Sequence, residues 1–447
     1  MLNDPIVALA TAPGRAALAL VRLSGTGAFE VAARVVKGFQ PDPPRTARLL
    51  SFQDADGHTI DRGICTAYPA PHSYTGEDLV ELTCHGGRVA PARLLTALHS
   101  AGARAAAPGE FTRRAVLNGK LDLIQAEAVG DLIDASAPAQ AQAALHQIEG
   151  GLSRKIEALR EQLLELAALM SYDIDFPDED DGPISAGQLQ SPLDELEREM
   201  HGLLATAPAG ERLREGALVV LAGRPNSGKS SLFNALLGID RAIVTAIPGT
   251  TRDAIEADTN FDGWPIRLAD TAGLRDAEDM VERLGIAVSR RYLDRADLVL
   301  LCAEAGRALD QGEREVLSTG RAVVARTKAD LLPVGAGDEE MEGIPVSVVS
   351  REGLDALRSA VASQVFASDA HPRLDLEPVL VRERHRVGLA RSRDALVQAR
   401  PHLEGGGDAT LAAHHVRQAL AALDELVGVI DAEEVLGRIF SRFCVGK

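Results

Sequence analysis

Hydrophobic positions follow three patterns along this chain. Up to about residue 118, short apolar runs alternate with turn residues. Ile6–Ala10 and Ala17–Leu23 flank a Pro13-Gly14 turn, and Gly63–Tyr68 and Asp78–Cys84 repeat the form. Runs of that length between turn signals predict β-strands, and Val89–Ser100 predicts a helix. From Leu121 the period lengthens. Leu152, Ile156, Leu159, Leu163, Leu166 and Met170 step by four and three, the stripe of a helix packed along one side. Pro192–Leu204 predicts another helix. Between these two helices, Asp173–Asp181 holds six acidic residues around Pro177 and predicts a turn or exposed loop, solvated rather than loaded with a divalent ion. The third pattern, from about Gly216 to Ala370, sets the strand-like runs Ala217–Ala222, Pro265–Ala269 and Ala322–Ala325 before polar or glycine-rich stretches. Beyond it, Pro378–Ala399, Ala409–Val427 and Ala432–Phe443 return to helix, with Gly405-Gly-Gly407 as a joint. Helix on both sides of the third region predicts a domain inserted into a helical domain, its two ends adjacent at the root.

Composition narrows the class. A chain of 447 residues with 46% apolar residues can bury sizeable cores, in about two to four domains. No apolar run is long enough to cross a bilayer. Ala8–Leu23 lacks the basic flank of a signal peptide and is broken by Pro13-Gly-Arg15. Cys65, Cys84, Cys302 and Cys444 lie far apart without metal-ligand spacing, which fits a reducing cytoplasm. Cys84-His85 reads as a buried thiol beside a turn histidine. A net charge of −18 argues against free, non-specific nucleic-acid binding.

The chemistry centres on Gly223-Arg-Pro-Asn-Ser-Gly-Lys-Ser230, between the run Ala217–Ala222 and the helical Ser231–Leu237. Strand, glycine loop and helix form the context of a phosphate-binding loop. Asn226, Ser227, Gly228, Lys229, Ser230 and Ser231 are the expected nucleotide contacts. Gly223 and Gly228 let backbone N–H groups converge on phosphate at a helix N-terminus. Lys229 reaches the β- and γ-phosphates, and the Ser230 hydroxyl takes a Mg²⁺ position.

Two further segments identify the base. Asp270-Thr271-Ala272-Gly273 ends a strand, where Asp270 can hold the Mg²⁺ shell and the Gly273 N–H can approach the γ-phosphate. Thr327-Lys328-Ala-Asp330 follows another strand. A carboxylate there accepts two hydrogen bonds from guanine, whereas adenine presents an acceptor. Thr327 stands where asparagine is usual, so some affinity is expected to be lost. Ser347-Val-Val349 occupies the position of a degenerate base-contacting loop.

Longer strings go further. Tyr74-Thr-Gly-Glu-Asp78, Cys84-His-Gly-Gly87, Pro108-Gly-Glu-Phe111, Leu117-Asn-Gly-Lys-Leu-Asp-Leu123, Gln125-Ala-Glu127 and the terminal Phe443-Cys-Val-Gly-Lys447 resemble the MnmE (TrmE) family of tRNA wobble-uridine modification GTPases. The resemblance implies a multidomain α/β and α+β fold. Its parts are a β-rich folate-binding-like domain (1–118), a helical domain in two pieces (119–215 and 371–447), and an inserted Ras-like GTPase domain (216–370). It implies a cytoplasmic homodimer joined through the N-terminal domains. With a flavoprotein partner, MnmG, the dimer would add a carboxymethylaminomethyl group to C5 of uridine 34 of tRNA. The one-carbon donor would be 5-formyl- or 5,10-methylene-tetrahydrofolate. Arg22, Glu81, Lys120 and Lys447 match folate-contacting positions: Arg and Lys suit the glutamate carboxylate, and Glu suits pterin N–H groups. The partner can supply the phosphate contacts that a chain of this charge does not.

Hydrolysis needs something unusual here. Leu274 stands where many GTPases place the glutamine that orients water. The resemblance supplies a potassium ion bound by Asn226, Thr245, Ile247 and Thr250, although Pro248 should stiffen that loop. It also supplies Thr251 as second Mg²⁺ ligand beside Ser230, and Glu282 as the residue that orders water. The alternative for Glu282 is an exposed helix glutamate. Cys444, between Arg442 and Lys447, is either a packing residue or a thiolate acting at the folate or uridine centre. A regulatory switch GTPase that binds RNA or ribosome without modification chemistry is the competing function. The N-terminal folate-type strings speak against it.

Overall fold

A computed structural model describes residues 4–175, 186–238, 255–270, 292–332, 342–366, 379–403 and 408–428, with 439, 440, 443 and 446 from the tail. The chain divides into two compact units, Met1–Gly130 with Asp424–Lys447, and Asp131–Leu423.

The first unit is built on strands β1 (Ile6–Leu9), β2 (Leu18–Ser24), β3 (Val36–Lys37), β4 (Arg48–Gln53), β5 (Thr59–Tyr68), β6 (Leu79–His85) and β7 (Arg104–Ala105). They form one sheet in the order β3-β4-β5-β6-β2-β1-β7, antiparallel except where β1 meets β7. Helices α1 (Ala28–Val35) and α2 (Val89–Ser100) pack on this sheet, and their apolar residues share a core with Val7, Val21, Val80 and Leu82. Alternation along the strands sends Leu20, Arg22, Glu81, Thr83, Ile64 and Leu49 to the other face. Leu49, Ile64, Thr83 and Leu20 form one row across four strands, and Leu49 is 61% and Ile64 38% exposed.

Helix α3 (Glu110–Leu117) carries the fully buried Arg114, which donates to Glu77 at 3.0 Å and to Glu110 at 2.9 Å. Helix α4 (Leu123–Asp134) begins with Leu123 and Ala126 packed on Phe440, flanked by Ile439 and Phe443 of the tail. The strands and helix expected in residues 1–118 are present; α1, β4 and α3 had no expectation attached to them.

The second unit holds α5 (Pro138–Ile148), α6 (Gly151–Asp175), α7 (Ala186–Ala205) and α8 (Ala207–Glu215), followed by strand β8 (Ala217–Ala222) and helix α9 (Lys229–Leu237). It continues with β9 (Ile255–Phe261), β10 (Trp264–Asp270), β11 (Leu298–Glu304), α10 (Gln311–Ser318), β12 (Ala322–Thr327), β13 (Ile344–Pro345) and α11 (Leu354–Phe366). Helices α12 (Glu383–Ala399) and α13 (Ala409–Val427) follow, the end of α13 belonging to the first unit. Six strands order as β13-β12-β11-β8-β10-β9, parallel except that β9 runs against β10. An apolar strand buried on both faces suits a parallel sheet between helices, and Ala217 to Leu221 of β8 are all buried. Every residue of the expected α6 stripe is buried.

Three helix boundaries differ from expectation. Helix α6 runs through Asp175, so Asp173 and Asp175 are helical; residues 176–181 of the acidic stretch lie outside the described residues. Helix α7 begins at Ala186 and takes Pro192 inside it. Helix α12 begins only at Glu383, because the preceding backbone is bonded elsewhere: Leu380 N–H donates to Thr206 Oγ1 at 3.1 Å, and the Val379 carbonyl accepts from Gln147. Gly405–Gly407 and most of the expected helix Ala432–Phe443 lie outside the described residues. Among the described residues, no helix is long and apolar enough to cross a membrane.

Candidate functional site

The sheet of the second unit delivers its glycine loop from the C-terminal end of β8. Gly223 has φ 141°, and a Cβ there would lie 2.3 Å from the Cys302 carbonyl oxygen, so only glycine lets the loop pass β11. Asn226 and Gly228 also take positive φ, 61° and 87°, and Gly228 opens α9. This curls the loop around the N-terminal end of the helix, a concave array of N–H groups.

Lys229 is buried, and its Nζ donates to the carbonyls of Gly223 at 3.1 Å and Arg224 at 2.7 Å. Ser230 Oγ donates to Asp270 Oδ2 at 2.8 Å. Asp270 is 2% exposed at the end of β10, in register with Leu221 of β8. The hydroxyl and the carboxylate expected around one Mg²⁺ are therefore neighbours. Ser231 and Asn226 are exposed, and Ser227 is buried.

The segments expected to read the base also meet. Lys328 has φ 58° and pairs with Glu304 at 3.3 Å. Asp330 is exposed on the short 3₁₀ turn Ala329–Leu331. Ala329 N–H donates to the Val346 carbonyl at 3.1 Å, which holds the Asp330 turn beside the buried Ser347. Ser347 Oγ accepts from Ser350 N–H at 3.1 Å. Thr327 turns inward: its Oγ1 lies 2.7 Å from the Ser227 carbonyl oxygen and 3.3 Å from that of Ala303.

A residue that carried no expectation is Arg224, whose Nε donates to Asp310 Oδ2 at 2.6 Å. Asp310 also caps α10 through a reciprocal box with Glu313, so it anchors the loop and starts the helix together. The signal was Asp310-x-x-Glu313, a capping box before a helical run. Thr245, Ile247, Thr250, Thr251, Thr271, Ala272, Gly273 and Glu282 lie outside the described residues.

In the first unit, Arg22 of β2 and Glu81 of β6 are register partners. Arg22 Nη2 and Nε donate to Glu81 Oε1 at 2.8 and 3.2 Å, and Tyr68 OH donates to Glu81 Oε2 at 3.3 Å. The guanidinium stands 5.4 Å from the ring centre of Tyr74 and 5.8 Å from that of Phe111. Tyr74 is fixed by a 2.9 Å bond between its hydroxyl and that of Thr112. Burial, then the adjacent Glu81 charge, raises the pKa of Tyr68. Two of the long sequence strings thus bring their aromatic rings to one arginine, which strand alternation and the strings alone did not reveal.

Lys120 Nζ donates to the Pro71 carbonyl at 3.2 Å, apart from the Arg22–Glu81 pair in its bonding. Gly446 lies against the end of β1: a Cβ there would be 2.5 Å from the Leu9 carbonyl oxygen, and the neighbouring Ala8 pairs with Arg22. Cys444 and Lys447 lie outside the described residues. Cys84 is buried, and burial pushes its thiol up to about 11. His85 closes strand β6 rather than a turn, and its Nδ1 lies 2.9 Å from Asp61 Oδ1.

A family model described as "MnmE helical domain" matches residues 123–444, and one described as "GTP-binding protein TrmE N-terminus" matches residues 5–120. The chain is 42% identical over 462 residues to a tRNA modification GTPase MnmE of Salinibacter ruber, covering 100% of this chain and 99% of that one. It is 40% identical over 457 residues to the protein of that name from Aquifex aeolicus, covering 100% of both. Among solved structures, the G domain of the T. maritima FeoB iron transporter is 28% identical, covers 33% of this chain and 98% of that chain, and has a TM-score of 0.25.

Proposed function

This chain belongs to the MnmE (TrmE) family, and from that premise we propose a GTPase of tRNA modification whose two chemical centres lie in separate units. The observation that carries the GTPase reading is the Ser230–Asp270 bond at the mouth of the glycine loop. GTP places its phosphates in the loop, Lys229 meets the β- and γ-oxygens, and Asp330 accepts from the guanine edge. Ser230 and the Asp270 carboxylate would hold Mg²⁺, with Thr251 as second protein ligand, and the ion would supply charge neutralisation at the phosphates. Asn226, exposed on the curled loop, suits a potassium ion that Thr245, Ile247 and Thr250 would complete. Glu282 orders the attacking water in place of the glutamine missing at Leu274.

The second centre is the open face of the N-terminal sheet. Arg22 and Glu81 suit the pterin of a tetrahydrofolate derivative, and Lys120 and Lys447 suit its carboxylates. The folate supplies a one-carbon unit for C5 of the wobble uridine, with a flavoprotein partner, MnmG, completing a carboxymethylaminomethyl group. Gly446 beside β1 supports bringing Cys444 to this centre. The exposed row Leu49–Ile64 on the same face supports pairing of two copies through their N-terminal sheets.

Expression of this chain in a deletion strain lacking its relative tests the assignment. Mass spectrometry of tRNA nucleosides should show the modified wobble uridine restored. Wobble uridines that stay unmodified while the chain hydrolyses GTP would favour a switch GTPase instead.

A further inference from the structure

Arg224 makes bonds from both of its ends, and the two ends serve different parts of the sheet. Its carbonyl oxygen accepts from the Ser227 N–H at 3.3 Å, which closes the curl of the glycine loop, and from Lys229 Nζ at 2.7 Å. Its guanidinium is clamped on Asp310. Nε donates to Oδ2 at 2.6 Å, Nη2 bonds the same oxygen, and Nε lies 3.8 Å from Glu313 Oε1. Pro225 follows, with no N–H to offer and its φ fixed by the ring.

The anchor is itself anchored. Asp310 and Glu313 hold each other in the box that starts α10. The buried Glu313 also accepts from Arg307 Nη2, at 2.6 and 2.8 Å. The Arg307 carbonyl in turn accepts at 2.8 Å from Nη1 of Arg326, which is buried on β12. A bridge of side chains thus runs from the loop after β8 to β12, two strands away in the sheet.

Stability does not account for the clamp. The side chains of Arg224 and Asp310 are 47% and 35% exposed, and an ion pair that open to water adds little to folding. Position accounts for it better. Lys229 has a flexible stem, and its ammonium is directed by the two carbonyls it touches, those of Gly223 and Arg224. The first is fixed where Gly223 presses on the Cys302 carbonyl. The second is fixed by the grip on Asp310.

We propose that Arg224 is a positioning residue of GTP binding: gripping Asp310, it sets its own carbonyl so that Lys229 Nζ is aimed at the β- and γ-phosphates. The proposal rests on the reading that the glycine loop holds GTP.

Displacement of a fluorescent GDP analogue by unlabelled GDP and by GMP tests it on the full chain. Arg224→Gln keeps most of the length and removes the charge. GDP, whose β-phosphate Lys229 meets, should bind this variant about fivefold more weakly, the share of one charge-assisted hydrogen bond. GMP has no β-phosphate and should bind the variant as it binds wild type. The readout is therefore the ratio of the two affinities, because a residue that merely held the fold would weaken both nucleotides alike. Asp310→Asn keeps a side chain that caps a helix as well as aspartate does, and removes the charge that Arg224 grips. It should give the same selective loss, and it carries the test if Arg224→Gln does not fold. Arg224→Lys returns the charge without the fork and should recover part of the loss. GDP affinity unchanged in Arg224→Gln and Asp310→Asn, or GMP weakened as much as GDP, would overturn the proposal. A wild-type chain that binds GMP as tightly as GDP would instead overturn the reading of the loop, and the proposal with it.

Discussion

Thr327 Oγ1 lies 2.7 Å from the carbonyl oxygen of Ser227, so the Thr327–Asp330 segment and the glycine loop are joined by one buried hydroxyl. The hydroxyl can donate only one hydrogen, and the shorter distance assigns it to Ser227 rather than to Ala303 at 3.3 Å. Thr327 thereby ties the glycine loop to the end of β12.

Thr327→Val keeps the branched shape and removes that donor. The Ser227 carbonyl then loses a buried partner, which costs about 1 kcal/mol, or roughly fivefold in affinity. Titration with a fluorescent GDP analogue should show that weakening, for GDP and GTP alike, because the loop serves both. Unchanged affinity would mean that the bond is incidental. From sequence alone, asparagine at this position promised tighter binding. In the structure it would have to replace a bond already made.

What could be read from sequence followed from local rules. Ala217–Ala222 is a strand to the residue, and Val89–Ser100 and Ala409–Val427 are helices to the residue, because apolar period and turn residues determine such elements locally. Helix α3 was not legible: only five of the eight residues of Glu110–Leu117 are buried, and two of those five, Glu110 and Arg114, are charged residues that pair inside the fold. Pairing of that kind depends on Glu77 and Arg104, distant in sequence or on another element, and leaves no periodic trace. The candidate sites show the same division. The glycine loop is a contiguous string and was legible, whereas the Arg22–Glu81 pair arises from strand register, and the bond from Arg382 to Asp131 joins residues 251 positions apart.

Potassium should accelerate hydrolysis well beyond sodium. Leu274 can neither donate nor accept a hydrogen bond, so charge at the β–γ bridge must be neutralised by another group. A cage of oxygen ligands sized for potassium holds the smaller sodium ion poorly. Phosphate release measured in KCl and NaCl at matched ionic strength checks this, and Asn226→Ala should erase the difference between the salts. Equal rates for the wild-type chain would remove the monovalent ion from the mechanism.

Glu110 gives the N-terminal domain an acid-sensitive lock. Burial opposes its ionisation, but bonds from Arg104, the Ala107 N–H and Arg114 outweigh burial and bring its pKa to about 2 from 4.5. A depressed carboxyl stabilises the fold at pH values above its unfolded pKa, and that contribution is lost as pH falls through the folded value. The stability difference between wild type and Glu110→Gln should therefore be full at neutral pH and shrink between about pH 4.5 and 2. Chemical denaturation at a series of pH values measures it. A difference independent of pH would show that Glu110 acts through shape alone.

Arg22 and Glu81 make a sharper forecast as a bonded pair than as separate charges. Because they share a 2.8 Å bond, both address one end of a ligand. The pyrimidinone ring of a pterin carries a carbonyl acceptor beside N–H donors. Glu81 can take the donors while Arg22, steadied by Tyr74 and Phe111, donates to the carbonyl. Replacing that carbonyl by an amino group, as in a 2,4-diamino folate analogue, turns the acceptor into a donor facing a guanidinium. The affinity should fall at least about tenfold, or 1.4 kcal/mol, relative to the 4-oxo compound. Glu81→Gln should weaken the 4-oxo ligand as well, since the amide keeps only one acceptor oxygen and loses the charge. Calorimetric titration of the full chain with 5-formyltetrahydrofolate and its 4-amino counterpart compares them directly. Equal binding of the two would detach Arg22 from the pterin edge and return it to the glutamate carboxylate.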